Sequence, residues 1–388
     1  MDKGNHLLIF ILTVGVFGIL NTEMGVIGIL PAIADHFHIS ISKAGWLVSV
    51  FALVVAAAGP TMPLLFSGIN RKKVMLLVLG VFVLGNIIAI FATNFTIALI
   101  ARAVPALFHP VYCSLAFTVA AASVSKEEAP KAVSKVFIGV SAGMVVGVPI
   151  ASFIASVVSL QMAMTFFAVV NVIVFVATLL FVPSMPVAEK LSYGSQLSVL
   201  KKSTTWISIL TVILLNSAVF GVYSYLADYL KTVTNMSPNT ISLLLFLYGV
   251  ANIIGSIVAG KLLTNNAIKS VVAFPFALGI VYIIIFIFGQ FSIPMMIITF
   301  IWGIVAGVGG NINQYWITSS APEAPDFANG LFLTSANLGT TFGAAVGGLF
   351  ISEMGTQYVV LVGVLSLLLG MVFILLRNYR YVPTKQLS

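Results

Sequence analysis

The sequence predicts an all-α membrane protein, with twelve transmembrane helices in two pseudo-symmetric six-helix bundles. Composition, the number and length of apolar runs, and a weak internal repeat together predict it. Of 388 residues, 60% are hydrophobic and only 7% are charged, and the mean hydropathy is +1.15. A soluble chain carries about 25% charged residues, so this one has too little charge to cover a surface facing water.

A helix needs about 20 apolar residues to cross about 30 Å of hydrocarbon. Runs of this kind occupy residues 7–31, 43–67, 74–93, 96–121, 133–157 and 162–182 in the first half, spans 1 to 6. Spans 7 to 12 follow at 206–230, 239–263, 268–289, 293–318, 328–351 and 356–377. The first run is too long for the apolar region of a cleavable leader and lacks a small-residue cleavage site. The single cysteine, Cys113, lies within span 4 and excludes an internal disulfide.

Twelve spans put both termini on one side, and the basic residues say which. Of the 18 Lys and Arg residues, only Lys43 and Lys231 fall in loops on the far side, and Arg102 falls inside a span. The others cluster with the termini, among them Lys3, Arg71 to Lys73, Lys126, Lys190, Lys201, Lys202, Arg377, Arg380 and Lys385. The positive-inside rule therefore predicts cytoplasmic termini in an inner membrane. The net charge of +8 reads as loops meeting anionic headgroups, because no basic and aromatic interleaving points to nucleic acid.

The longest polar interval, 183–205, holds Pro186, Glu189, Lys190, Lys201 and Lys202. It divides an N-terminal bundle (1–182) from a C-terminal one (206–388). The halves share a pattern. Ala129-Pro130 recurs as Ala324-Pro325 at an offset of 195, while Gly59, Gly143 and Gly147 recur as Gly255, Gly339 and Gly343 at an offset of 196. Such parallel halves are typical of solute carriers.

Ionisable groups within the spans are the candidate site, because each costs several kcal/mol to place in the membrane. Glu23 lies in span 1 beside the polar Asn21 and Thr22. Arg102 and His109 lie two turns apart on one face of span 4. Arg102 keeps its charge and needs an anion, a carbonyl or water, whereas His109 titrates in a range suited to proton exchange. Asp228 sits near the end of span 7.

Polar groups at membrane depth in the second half are uncharged. They are Asn216 and Tyr223 (span 7), Tyr248 and Asn252 (span 8), Asn311, Asn313, Gln314 and Tyr315 (span 10), and Asn337 (span 11). These are candidates for hydrogen-bonding a neutral solute, although asparagine also ties helices together. Gly139, Gly143 and Gly147, followed by Pro149, form a smooth stripe on span 5 that admits another helix and can serve as a sliding contact between halves. No His-Glu-x-x-His, Ser/His or paired-Asp arrangement suggests an enzyme, and no soluble domain suggests a sensor.

Several segments carry a family resemblance: Asn21-Thr22-Glu23-Met24-Gly25 through Leu30-Pro31-Ala32, Ile39-Ser40 through Gly45-Trp46-Leu47, and His109-Pro110-Val111-Tyr112-Cys113. Over nearly its whole length the chain resembles the major facilitator superfamily, within it the drug:proton antiporter group and its sugar- and purine-nucleoside-efflux branch. In that pattern Pro105, Ala106 and Leu107 stand where glycines usually follow the span 4 arginine. Gly68-Ile69-Asn70-Arg71 lacks the usual aspartate. The resemblance implies a cavity lined by spans 1, 4, 7 and 10 and alternating access by rocking halves. It also implies export of a small neutral or weakly ionised solute against inward proton flow, with no cofactor and no metal. Glu23, His109 and Arg102 are the expected proton-coupling groups, and Asn21, His109 and Tyr112 the expected solute contacts in the first half. Gly139, Gly143, Gly147, Pro149 and Arg71 are expected to serve packing and gating. The expected partners are the solute, protons and the lipid bilayer, for a chain that works as a monomer. Proton-coupled or facilitated uptake is the alternative reading.

Overall fold

The computed structural model describes residues 3–39, 41–187 and 192–381. Ser40, Glu189, Lys190 and Lys385, named above, lie outside these ranges. Among the described residues the chain forms twelve transmembrane helices, some of them broken, labelled α1 to α12 in chain order.

In the first half, α1 runs through Lys3–Gly25, a 3-10 turn at Val26–Ile29, and Leu30–Phe37. Helix α2 is broken into Ile41–Ala44, Trp46–Ala58 and Met62–Phe66. Pro60, which has no N–H to donate, lies in its second break. Helices α3 (Arg71–Ile90) and α4 (Phe95–Ala122) follow. Helix α5 comprises Ala129–Ala142, a π-helical turn at Gly143–Gly147, and Val148–Val157. The π turn ends two residues before Pro149, whose missing N–H cannot bond back into the ladder of that turn. Helix α6 spans Leu160–Phe181.

In the second half, α7 comprises Ser203–Tyr223 and Leu226–Thr232. The stretch Pro238–Phe288 contains both α8 and α9, separated at Asn266, which leaves helical geometry (φ −157°, ψ 92°). The Asn266 side chain then caps α9 by accepting from the Lys269 amide at 2.9 Å. The last three are α10 (Ser292–Thr318), α11 (Pro325–Met354) and α12 (Val359–Tyr381).

By packing, the chain forms two compact units, Met1–Gln196 and Leu197–Ser388. Both keep an apolar core and also expose apolar side chains on the outside. Phe91 (76%) and Ile293 (73%) are among many large apolar side chains left exposed, whereas Asn21, Thr22, Glu23, Arg102 and Asn171 are buried. Lipid solvates the first set, and the interior supplies partners for the second.

The repeat seen in the sequence appears as one packing arrangement used in each unit. Helix α5 lies against α1, where a Cβ on Gly143 would come within 2.6 Å of the Leu20 Cβ and one on Gly147 within 3.3 Å of the Asn21 Cα. Helix α11 lies against α7 in the same manner. A Cβ on Gly339 would approach Asn216 Cβ to 2.8 Å, and one on Gly343 would approach Ser217 Cα to 2.8 Å. Small residues let the backbones meet where lipid offers no hydrophobic drive. The stripe on α5 packs against α1 of its own unit, the close helix contact that its spacing admits.

Candidate functional site

The polar core of the first unit is built on α1, where the α-helix ends at Gly25 and tightens into the 3-10 turn. This change disturbs the regular backbone ladder and makes carbonyls available to an outside donor. Arg102 on α4 uses them. Its Nε donates to the Leu47 carbonyl (2.9 Å), and its two terminal nitrogens donate to the carbonyls of Thr22 (2.8 Å) and Glu23 (2.5 Å). The guanidinium also lies 4.9 Å from the Phe51 ring centroid. Of the three partners its charge could take, Arg102 has carbonyls, and it ties α1, α2 and α4 together. Pro105, where the family pattern has glycine, fits onto α3 at Gly85, where a Cβ would lie 2.5 Å from the proline Cγ.

The Glu23 carboxylate turns to His109 instead. Its Oε2 lies 3.0 Å from the imidazole Nε2, and both side chains are buried. The Cys113 sulfur, one turn further along α4, is 3.7 Å from the same nitrogen. The imidazole packs edge-on against Phe51, with centroids 5.9 Å apart at 81°. His109 Nδ1 has no hydrogen-bond partner among the described residues. The pair can share one proton. An unpaired carboxylate here would bear the full cost of burial, which the imidazole beside it offsets.

A second network that sequence reasoning missed fixes the helix carrying Glu23. The Asn171 amide on α6 donates to the Thr22 hydroxyl (2.8 Å) and the Phe167 carbonyl (2.9 Å), and the Asn86 amide on α3 donates to the same hydroxyl (3.2 Å). Both asparagines sit in ordinary apolar runs, and nothing local in the sequence distinguishes them from helix glue. Beside this network lies a cavity of about 30 Å³ lined by Thr22, Asn86, Arg102 and apolar neighbours, enough for about one water molecule.

The remaining first-half candidates are placed differently. Asn21 is fully buried against Gly147, and its amide has no hydrogen-bond partner among the described residues. Tyr112 is also fully enclosed, with its hydroxyl end packed on Gly15. Asn70 takes the position of the missing aspartate and caps α3 through the Lys73 amide at 3.3 Å, a role either side chain fills. The Arg71 amide donates to the Met185 carbonyl at 3.0 Å, docking this loop onto the segment after α6.

In the second unit most amides are engaged in holding helices. Asn216 donates to the Ala336 carbonyl (2.6 Å) and the Thr340 hydroxyl (2.8 Å), and accepts from Asn313 at 3.5 Å. Gln314 donates to Asn329 at 2.8 Å, and Asn337 donates to the Leu333 carbonyl of its own helix at 2.8 Å. Asn252 is half-buried on α8, where its backbone meets Gly307 of α10. Tyr223 and Tyr248 do come together. Their rings stack with centroids 4.5 Å apart at 21°, beside Trp302. Trp302 and its neighbour Tyr282 escaped the sequence reading because single aromatics in apolar spans look like lipid-facing bulk.

Arg377, which the sequence places among the loop charges, lies on α12. It donates to the Ser208 hydroxyl (3.0 Å), the Trp316 carbonyl (2.5 Å) and the Ser319 hydroxyl (2.9 Å), with its guanidinium 3.8 Å from the Trp316 ring centroid. Asp228 is exposed at the end of α7 and accepts from Thr356 at 3.0 Å.

Comparison with known proteins agrees with this architecture. The chain is 29% identical over 370 residues to the inner membrane transport protein YdhP of Escherichia coli K12, covering 95% of each. It is 26% identical over 358 residues to a probable sugar efflux transporter of Helicobacter pylori, covering 92% of this chain and 91% of that one. In fold it matches the human organic anion transporter MFSD10 (TM-score 0.80, 14% identity, 96% of this chain and all of the other). It also matches the Escherichia coli fucose:proton symporter (TM-score 0.75, 15% identity, 94% and 97%). The profile of the Major Facilitator Superfamily matches residues 12–324 and 206–387, and the chain belongs to that superfamily of membrane transporters.

Proposed function

We propose that this transporter exports a small neutral or weakly ionised solute, of the sugar or nucleoside kind, in exchange for protons entering the cell. The observation that carries the reading is the Glu23–His109 contact at 3.0 Å. A buried acid and base in reach of one another can take up a proton from one side and release it to the other when their surroundings alternate. Arg102 holds the backbone at Glu23 and so positions the pair. Solute class follows from the scarcity of charge in the second half and from the sugar-efflux name of a relative. The charge bias puts both termini in the cytoplasm of an inner-membrane protein, and one chain suffices for a pathway.

The test is transport by purified protein in proteoliposomes under an imposed pH gradient. Wild type is expected to move solute in the direction opposite to the proton flow. Glu23→Gln is expected to abolish gradient-driven flux and to keep solute counterflow, which needs no net proton movement. Gradient-driven flux that survives in Glu23→Gln refutes the coupling role. Solute moving in the same direction as protons replaces antiport by proton-coupled uptake.

A further inference from the structure

Arg102 carries a permanent charge at membrane depth, is buried, and makes no ion pair among the described residues. Its partners are the neutral carbonyls of Leu47, Thr22 and Glu23. They occupy three of the five N–H groups of a guanidinium, so one remains on each terminal nitrogen. The Phe51 ring, 4.9 Å away, is a weaker partner than an ion. The nearby acid does not supply the missing charge. The Glu23 carboxylate lies on His109, and the pair holding one proton has no net charge. The Arg102 charge therefore stands uncompensated in a low-dielectric interior, where an ion without a counter-ion is costly.

The guanidinium borders the cavity of about 30 Å³ described above. Two more buried polar side chains reach the same space, Asn86 of α3 and Thr22 of α1. Thr22 is saturated: it accepts from Asn86 and donates to the Gly18 carbonyl. The Asn86 amide spends one N–H on that hydroxyl and keeps its second. Phe51, Ala98, Ala101 and Phe167 are among the apolar side chains that make up the rest of the wall. Spare N–H donors thus gather beside a fixed positive charge, in an apolar enclosure of small size.

We propose that this cavity binds a small monovalent anion, chloride under cellular conditions, as the counter-ion of Arg102. A water molecule would complete the hydrogen bonds and leave the charge as it is, whereas an anion answers both. Size and wall select within the class. A halide is a sphere little larger than water and fits where one water fits. Phosphate or a carboxylate needs more room, and its further oxygens would face apolar side chains without donors. The proposal goes beyond the transport reading, and it stands whether or not the Glu23–His109 pair couples flux to protons.

The experiment uses the full chain purified in detergent, with chloride replaced by gluconate at constant ionic strength. Restoring chloride, or supplying bromide, is expected to raise the unfolding temperature by about 2–4 °C, because the ion binds the folded state alone. Ala98 is buried on the cavity wall one turn before Arg102. Ala98→Val fills the space, keeps any general salt effect, and is expected to lose the shift. Crystals soaked in bromide are expected to show an anomalous peak beside the Arg102 guanidinium. An unfolding temperature indifferent to chloride, a shift of the same size in Ala98→Val, or no bromide peak at Arg102 overturns the proposal. A water bridging Arg102 to the Asn86 Oδ1 is then the occupant. Should Ala98→Val fail to fold, the bromide peak in the wild-type protein decides alone.

Discussion

At the scale of single residues, Arg102 and Glu23 divide the work of one short stretch of α1. Arg102 binds main-chain carbonyls, leaving the Glu23 carboxylate to His109. A lysine at 102 has the charge but lacks the planar fork that reaches three acceptors at once. Arg102→Lys is therefore expected to cost about 2 kcal/mol or more from lost charge-assisted hydrogen bonds, seen as a lower unfolding temperature in detergent. An unchanged unfolding temperature would show that the tie carries no stability. His109→Phe keeps the edge contact with Phe51 but leaves the Glu23 carboxyl without its basic neighbour. Its flux is expected to lose dependence on the pH gradient while the protein still inserts in the membrane. Both residues stood out in the sequence because charge is rare in a span. Their division of labour did not, because spacing along α4 says nothing of what α1 presents to it.

At the scale of elements, the two small-residue stripes make matched predictions. Gly143→Val and Gly343→Val each place a side chain where a Cβ already comes within 2.6 Å of the neighbouring helix. Overpacking of this kind costs about 1–3 kcal/mol, and both variants are expected to lose folded yield in size-exclusion chromatography. Gly4→Ala, which meets nothing within 4 Å, is the matched control. The loop before α11 supplies a smaller contribution. Lys202 and Glu323 form an exposed ion pair. Partial burial pushes the Glu323 carboxyl up, but the hydrogen bond from Lys202, its own backbone amide and the Lys202 charge outweigh it and leave the carboxyl below its ordinary value. A carboxyl lowered in the folded state contributes stability above its unfolded value and loses it as pH falls through the folded one. The pair is solvent-screened, so Lys202→Ala is expected to cost under about 1 kcal/mol at neutral pH, and to cost nothing in acid. The glycine repeat was legible as a spacing of four. Which helix fills each stripe was not, because the partner is distant in sequence.

At the scale of the whole molecule, topology is the testable property. Cys113 is the single cysteine and is buried, so new surface cysteines report without interference. Lys231→Cys is expected to react with a membrane-impermeant maleimide added outside intact cells, and Lys201→Cys only after the membrane is opened. The reverse labelling pattern would invert the orientation drawn from the basic loops. The Tyr248–Trp302–Tyr282 cluster belongs to this scale too, because it draws on α8, α10 and α9 at once and no segment of sequence contains it.

Sequence by itself determined that the chain lives in lipid, how many times it crosses, and which rare ionisable groups it carries inside. Those conclusions rest on the cost of placing polar matter in hydrocarbon, which acts on every residue locally and so leaves a local record. Tertiary structure alone decided that Glu23 faces His109 while Arg102 holds backbone, that Asn86 and Asn171 meet at Thr22, and that Tyr223 and Tyr248 stack on each other edge-on to a buried tryptophan. Each of these depends on the rotation of one helix about its axis relative to another. In a span that is apolar all round, no hydrophobic face specifies that rotation; packing of small residues and the pairing of a few polar atoms do.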